Sequence, residues 1–473
     1  MKTHPMSAAD AAWFHNDGSA NLAIVMGIVL TKKPLDFNRV RKIYSERLVT
    51  FDRFRQRVVE TGFPMATPHW QDMPHFDIDQ HLHHIALAAP HDQAALTRLV
   101  NDIASMPLDH SLPLWQAYLV DDVERGSALI TRCHHCMADG TAMMTVTQRM
   151  FDPAPGARSL PDPRAPGASV DSGAGKGLFA PAIGLFAPAI DLIADAARDA
   201  IALVGGAGML VGELLRADDR PSPLKGEFAL SKHVSWSKPV AIRDIKVIGK
   251  LYDAKVNDVL VAAMTGALRT YLKRRGIDVN HTTVRAMVPV DLRPPERIGQ
   301  LGNEFGLVLL DLAVTKARAD HRVALTKARM DALKRSPEPL ATKALLNLLG
   351  RGPKVLEDFS NDLFGRKASV VMTNVVGPGE VLYLAGVPID RFLAWAPHPG
   401  KQLGMAVSIL SYRGMASLTV IGDAHLVPDP EAITSEFNRE FQKMLKSATD
   451  GAAKAAATRA PAKRAPALRR PAA

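Results

Sequence analysis

A chain of 473 residues can hold two domains with large cores. Its 47% hydrophobic and 22% charged content excludes disorder as a whole. The net charge of +10 argues little for a nucleic-acid partner, because six basic groups (Lys454, Arg459, Lys463, Arg464, Arg469 and Arg470) sit in residues 451–473 with no acid among them.

The first residues, Met1-Lys2-Thr3-His4-Pro5, lack a charged head followed by an apolar core, so no secretory signal is expected. Residues 22–30 form an apolar run that reads as a buried strand. In 36–50, Phe37, Val40, Ile43, Tyr44 and Leu48 recur at helical spacing. Residues 51–59, FDRFRQRVV, mix apolar and basic residues as a half-buried strand does. Five histidines fall between 75 and 91 (His75, His81, His83, His84 and His91). Their spacing matches no familiar metal site, and a solvated, strand-like edge is the better reading. Residues 92–105 read as helix; Pro107-Leu108-Asp109 and Pro113-Leu114-Trp115 follow, and 115–120 has strand character.

Residues 127–151, SALITRCHHCMADGTAMMTVTQRMF, hold the densest chemistry. Beyond them, 153–175 is rich in Pro, Gly, Ala and Ser and reads as a linker. Residues 177–190 are GLFAPAI written twice, and 192–215 continue as an apolar helix broken at Gly205-Gly206. This stretch reads either as a helix packed on the body or as an interfacial segment on a membrane or lipid surface. No window holds about 18 uncharged apolar residues, so a spanning helix is not expected.

From 233 a second half begins. A helix is expected over 256–274 and a strand over 283–290, running into Asp291-Leu292-Arg293-Pro294. Gly302-Asn303-Glu304-Phe305-Gly306 precedes a strand at 307–312, and helical segments fill 316–350. A buried strand, 368–373, ends at Asn374-Val375-Val376-Gly377-Pro378-Gly379. Strands at 392–396, 405–411 and 416–421 and a helix at 430–446 close the folded part. The Ala/Pro/Lys/Arg tail, 447–473, has too little apolar area to fold alone.

Within 127–151, His134-His135-x-x-x-Asp139-Gly140 lies between a strand and a helix. Adjacent residues at a strand end point opposite ways, so one histidine faces reactants and the other is buried. An imidazole near its usual pKa of about 6.5 can take a proton from a hydroxyl at neutral pH. Asp139 either orients that imidazole, as in a triad, or pairs with an arginine and holds the turn. Gly140 permits a close backbone approach or a positive φ. A metal site built from Cys133, His134, His135 and Cys136 fits poorly, since consecutive side chains converge badly on one ion. Cys136 is a further option as a nucleophile forming an acyl-enzyme. These two cysteines, three residues apart, cannot staple a chain of this size and point to a reducing compartment.

With these residues in view, the chain resembles the bacterial wax ester synthase/acyl-CoA:diacylglycerol acyltransferase family, one of the acyltransferases that share an HHxxxDG motif. Residues 7–13 resemble the family's opening, and Pro113-Leu114-Trp115 its PLW block. Asn257-Asp258 resembles its ND block, and Thr373-Asn374-Val375-Val376-Gly377-Pro378 resembles a block written roughly SNVPGP. The resemblance implies an α/β fold of two chloramphenicol-acetyltransferase-like domains with the active-site channel between them. The implied divisions are an N-terminal domain at 1–152, a linker at 153–232, a C-terminal domain at 233–446 and a disordered basic tail at 447–473.

The resemblance also implies transfer of a long-chain acyl group from acyl-CoA to diacylglycerol or a fatty alcohol, without a cofactor or metal. Carried over, His135 is the base and His134 its support. Asn257, Asp258, Thr373 and Asn374 are candidates for the oxyanion or for positioning substrate. In related acyltransferases the motif's aspartate pairs with an arginine; Arg55 is the candidate partner for Asp139, and Arg293 the rival. Lys255, Lys273, Arg274 and Arg275 are candidates for holding the acidic CoA. The expected location is cytoplasmic, peripheral at the inner membrane face or at lipid inclusions. Two alternatives stay open: another acceptor, such as an amine or a natural-product hydroxyl, and a non-catalytic lipid-inclusion protein.

Overall fold

The structure, a computed structural model, describes residues 3–60, 67–156, 218–220, 222–294, 297, 300–336, 338–340, 342–343, 365–398 and 402–459. The GLFAPAI repeat, the apolar stretch 192–215 and the tail beyond Arg459 lie outside them.

The first half runs β1 (Thr3–Pro5), α1 (Ala8–His15), β2 (Ile24–Thr31), α2 (Phe37–Arg47), β3 (Gln56–Val59), β4 (His69–Asp72), β5 (Leu82–Ala86), α3 (Gln93–Ser105), β6 (Trp115–Val123), β7 (Gly126–His134) and α4 (Gly140–Met150). Asp36, Asp92 and Asp139 stand at the N-caps of α2, α3 and α4. Each accepts a first-turn backbone N–H, which sets where these helices begin. β7 is flanked antiparallel by β2 and β6, with Ile28 opposite Ile130 and Trp115 opposite Cys133. It is buried along nearly its whole length, as its apolar run implies.

β5 lies at the edge of this sheet, parallel to β6, where the histidine-rich stretch places an edge strand. His81 nevertheless is buried, its Nδ1 2.8 Å from Trp115 O and its ring stacked on Trp115. The stretch 51–59 becomes a strand only at Gln56. Before it, Asp52–Phe54 make a 3₁₀ turn that Arg55 closes.

The second half runs β8 (Lys232–Trp236), β9 (Val240–Ala241), α5 (Ile242–Tyr252), α6 (Val256–Arg274), β10 (Arg285–Asp291), β11 (Phe305–Asp311), α7 (Ala319–Leu333), β12 (Val370–Val376), β13 (Tyr383–Leu384), β14 (Val387–Trp395), β15 (Met405–Tyr412), β16 (Met415–Asp423) and α8 (Pro430–Arg459). Its sheet has the order β11-β10-β12-β15-β16-β8, with β9 also on β16. α6 is buried on all sides from Asp258 to Leu268 and forms the centre of this half's core. α8 continues past Lys446, where the apolar pattern ends, because Ala448 still packs on that core and the following alanines favour helix.

Chain order and spatial grouping part at β14. This strand belongs to the second half in sequence but pairs antiparallel with β2, Leu393 opposite Ile28, and so completes the first sheet. The segment expected as a strand at 392–396 therefore serves the other half. Met26, Ile28, Ile130, Leu393 and Trp395 pack with Met287, Leu309, Val371, Ala406 and Ile421 in one core between the sheets. Burial of each large apolar side chain contributes about 1.5–3 kcal/mol, so the two halves are held as one body.

The second sheet opens at one place. β10 meets β12 only at Ala286–Met287 against Val370–Val371, whereas β12 follows β15 to Val376. Beyond Met287 and Val371 the two strands diverge, and a cavity lies between them and the end of β7.

Candidate active site

β7 delivers the two histidines to different surroundings. The His134 N–H donates to Leu114 O at 2.9 Å, which is how the Pro113-Leu114-Trp115 block holds the strand end. The His135 N–H donates to Ala23 O at 2.7 Å as the chain leaves the sheet. Consecutive side chains face opposite ways, and here His134 is fully buried while His135 lines the cavity.

For His134, the Cys136 N–H donates to Nδ1 at 3.1 Å, so the neutral ring carries its hydrogen on Nε2. That Nε2 is buried without a hydrogen-bond partner, 3.7 Å from Asp17 Oδ1. Burial pushes the His134 imidazole down to about 4, against the pull of Asp17. Asp17 also accepts the Ala23 N–H at 2.7 Å and lies 3.2 Å from His110 Nε2. The ligand atoms of Asp17, His110 and His134 lie within 4.8 Å of one another. The Nε2 of His134 is nonetheless a donor aimed at a carboxylate. A metal-bound imidazole normally donates from its other nitrogen, and here that nitrogen accepts. The cluster acts as a support beneath the strand end.

For His135, Nδ1 lies 3.1 Å from Asn303 Oδ1. The roles in this contact are decided by the other end of the amide. Asn303 Nδ2 faces Asp10 Oδ1 and His135 O, each at 2.9 Å, and both are acceptors. The NH₂ group must lie there, so Oδ1 faces the ring and Nδ1 carries the hydrogen. The second ring nitrogen, Nε2, is left with its lone pair free. Burial pushes the His135 imidazole down to about 4, opposed by Asp139 and the Asn303 hydrogen bond. The ring is therefore neutral at physiological pH.

Asn303 is itself held. Its N–H donates to Asp10 Oδ1 at 3.1 Å, and Arg53 Nη2 lies 3.4 Å from Asp10 Oδ2. Gly302 has φ +115°, a conformation that side chains rarely adopt, and this turns the chain so that Asn303 meets the histidine.

Asp139 does not bond the His135 ring. Its Oδ1 accepts the Ala142 N–H at 2.9 Å, capping α4. Its Oδ2 accepts from Arg293 Nη2 at 2.7 Å and from the Glu304 N–H at 3.0 Å. Arg293 is buried and also donates to Gly302 O at 3.0 Å. The partner of Asp139 is thus Arg293, and the expectation for Arg55 is corrected. Arg55 donates to Asp52 Oδ1 at 2.7 Å and to Val49 O at 2.8 Å, and its half-exposed side chain closes the local turn. Gly140 is the first residue of α4 without a positive φ, and a Cβ there would meet nothing nearer than Val375 at 3.8 Å. Neither steric reason expected for this glycine applies.

Of the second-half candidates, Thr373 and Asn374 line the cavity. Asn374 Nδ2 donates to Asn257 Oδ1 at 2.6 Å, so Asn257 reaches the site through Asn374. Asp258 is corrected to a helix cap: its Oδ2 accepts the Lys255 N–H at 2.8 Å at the start of α6. Lys273, Arg274 and Arg275 stand at the far end of that helix, about 27 Å from Lys255 at 1.5 Å rise per residue. Arg274 pairs with Glu436, and Arg275 donates to Leu426 O. Cys136 is fully buried and its thiol is pushed up by burial, so it is no thiolate nucleophile.

The cavity, about 280 Å³, is lined mainly by apolar groups from both halves, among them Leu48, Phe54, Leu129 and Met150 from the first and Met287, Leu307 and Val371 from the second. Three residues at the base escaped sequence reasoning: Asp10, Trp13 and Asn303. Asp10 and Trp13 share one face of α1 at i, i+3 spacing. That was the available signal, but nothing in the sequence pairs α1 with residue 303.

The neutral His135 faces an apolar cavity between two α/β halves, and solved structures share this fold. The wax ester synthase/diacylglycerol acyltransferase of Marinobacter aquaeolei VT8 superposes with a TM-score of 0.68 at 20% identity, over 94% of this chain and 99% of that one. A starter condensation domain of rhizomide synthetase, solved with C8-CoA, gives 0.58 at 14% identity, over 94% of each chain. A protein of Mycobacterium tuberculosis named a probable diacylglycerol O-acyltransferase is 26% identical over 427 residues, covering 87% of this chain and 89% of its own length. The wax ester synthase/diacylglycerol acyltransferase catalytic-domain profile matches residues 4–260, and the family's C-terminal domain matches 301–445. The chain belongs to this family and is an acyltransferase.

Proposed function

We propose that this enzyme moves a long-chain fatty acyl group from acyl-CoA to diacylglycerol or to a long-chain alcohol, with His135 as general base. The observation that carries the mechanism is the free Nε2 of His135, left basic because Asn303 holds the Nδ1 hydrogen. Nε2 takes the hydroxyl proton as the acceptor oxygen bonds to the thioester carbonyl carbon. The tetrahedral intermediate then breaks its C–S bond, and the imidazolium protonates the departing CoA thiolate. Thr373 and Asn374 are the cavity-lining donors for the oxyanion, with Asn374 oriented by Asn257. No metal and no cofactor enter this cycle, since acyl-CoA is a substrate.

The apolar lining suits fatty substrates. The name of the M. tuberculosis relative and that of the Marinobacter structure favour the same acceptors, and the C8-CoA in the rhizomide neighbour favours a CoA thioester as donor. Lipid substrates favour work at a membrane face or a lipid inclusion. Free thiols at Cys133 and Cys136 fit a reducing, cytoplasmic compartment. No described helix is long and apolar enough to cross a membrane.

The test is thiol release from palmitoyl-CoA with hexadecanol, diacylglycerol and an amine in turn. His135→Ala is expected to lose about 10²–10⁴-fold in rate with its circular dichroism unchanged. Near-normal rates in that variant overturn the role of His135, and release with the amine alone overturns the acceptor class.

A further inference from the structure

One contact to His135 plays no part in the scheme above. The indole of Trp13 lies flat on the imidazole, ring centroids 3.9 Å apart and planes 15° from parallel. Phe305 turns toward the same imidazole at a steep angle, 6.2 Å away and 65° from parallel. Trp13 is half-buried and lines the cavity, so its indole sits where the reaction occurs.

The indole is placed by the same helix that fixes the tautomer. Ser7 caps α1 through the Asp10 N–H at 3.1 Å, and Asp10 is bonded to Asn303 and faces Arg53. One short helix thus sends Asp10 toward the Nδ1 side of His135, through Asn303, and Trp13 onto its ring face.

The charge that develops on His135 needs a counterpart. The carboxylate of Asp139 favours that charge but is shared with Arg293, and that of Asp291 accepts the Arg293 N–H at 2.9 Å. Asp10 reaches the ring only through the Asn303 amide. The remaining lining is mainly apolar. A cation in such a place gains from the negative face of an aromatic ring, and tryptophan offers the strongest.

We propose that Trp13 is a positioning residue of the reaction: its indole holds the plane of His135 and stabilises the imidazolium formed when the acceptor hydroxyl gives up its proton. The proposal rests on His135 being the base.

The test replaces Trp13 in the full-length enzyme with mono-, di- and trifluorotryptophan by site-specific incorporation. Fluorine weakens the negative face while shape and burial stay nearly constant. Single-turnover transfer from palmitoyl-CoA to hexadecanol is expected to slow stepwise, to about a tenth at the trifluoro member, with KM for both substrates unchanged. Trp13→Leu is expected to lose at least as much, and the fluorinated series decides the matter even if that variant folds poorly. A flat series, beside an inactive His135→Ala enzyme, overturns the role of Trp13 alone. An active His135→Ala enzyme overturns the underlying base assignment, and this proposal with it.

Discussion

The motif region, from β7 through the turn into α4, and the loop between β10 and β11 do different work at one site. The motif region joins a strand to a helix through a short turn, and it brings the His135 ring to the cavity. The β10–β11 loop supplies Arg293 to Asp139 and Asn303 to His135. The Asp139 N–H also donates to Gly302 O at 3.2 Å, so backbone as well as side chains tie the two regions together. The difference teaches that the motif places a histidine, whereas the second half gives it a tautomer and a fixed turn.

The strongest way to break this partnership is to remove the buried cation. Arg293→Met leaves the Asp139 carboxylate buried without its counter-charge, and unfolding in urea is expected to show a loss of about 3–5 kcal/mol. The double variant with Asp139→Asn is expected to recover part of that loss. An unchanged urea midpoint in Arg293→Met contradicts the partnership.

The enclosed histidine of the motif region gives a pH signature. His134 titrates near 6.5 in the unfolded chain and at about 4 when folded, because burial disfavours its charge. Between these values acid protonates the unfolded chain first. The stability it contributes is therefore intact above pH 6.5 and drains away as pH falls to about 4, at about 1.4 kcal/mol per pH unit. Melting curves of His134→Gln across this range are expected to lack one proton's worth of that slope.

The loop's contribution to chemistry is separable from its contribution to folding. Asn303→Ala frees the Nδ1 side of His135, and thiol release is expected to slow about 10²-fold, within the range attributed to a positioned base. A rate near wild type says the tautomer is set elsewhere. The smallest effect is expected at Arg55, whose half-exposed pair with Asp52 is worth under about 1 kcal/mol. Arg55→Ala measured beside Arg293→Met sharpens the contrast between a surface pair and a buried one.

Much of this was legible in the residues. An apolar run places β2 and helical spacing places α2, and the segments read as α3, β15 and β16 lie close to where they were expected. The spacing His134-His135-x-x-x-Asp139-Gly140 marks the chemistry because it joins a strand end to a helix cap, and both are local events. Strand alternation alone requires one histidine inside and one facing out.

What remained hidden depends on contacts between distant residues. Arg55 and Arg293 are equal as sequence, and only the approach of the β10–β11 loop to the α4 cap chooses Arg293. Asn303 lies 168 positions from His135 and Asp10 lies 293 positions from Asn303, so no local pattern joins them. β14 reads as an ordinary strand, yet its sheet is decided by which edge lies free, and β2 in the other half has it. The sequence by itself determined a histidine pair at the end of a strand. Tertiary structure decided which ring nitrogen carries the hydrogen, what holds the ring and which half closes the cavity, because hydrogen bonds and stacking act over a few ångströms that only folding brings about.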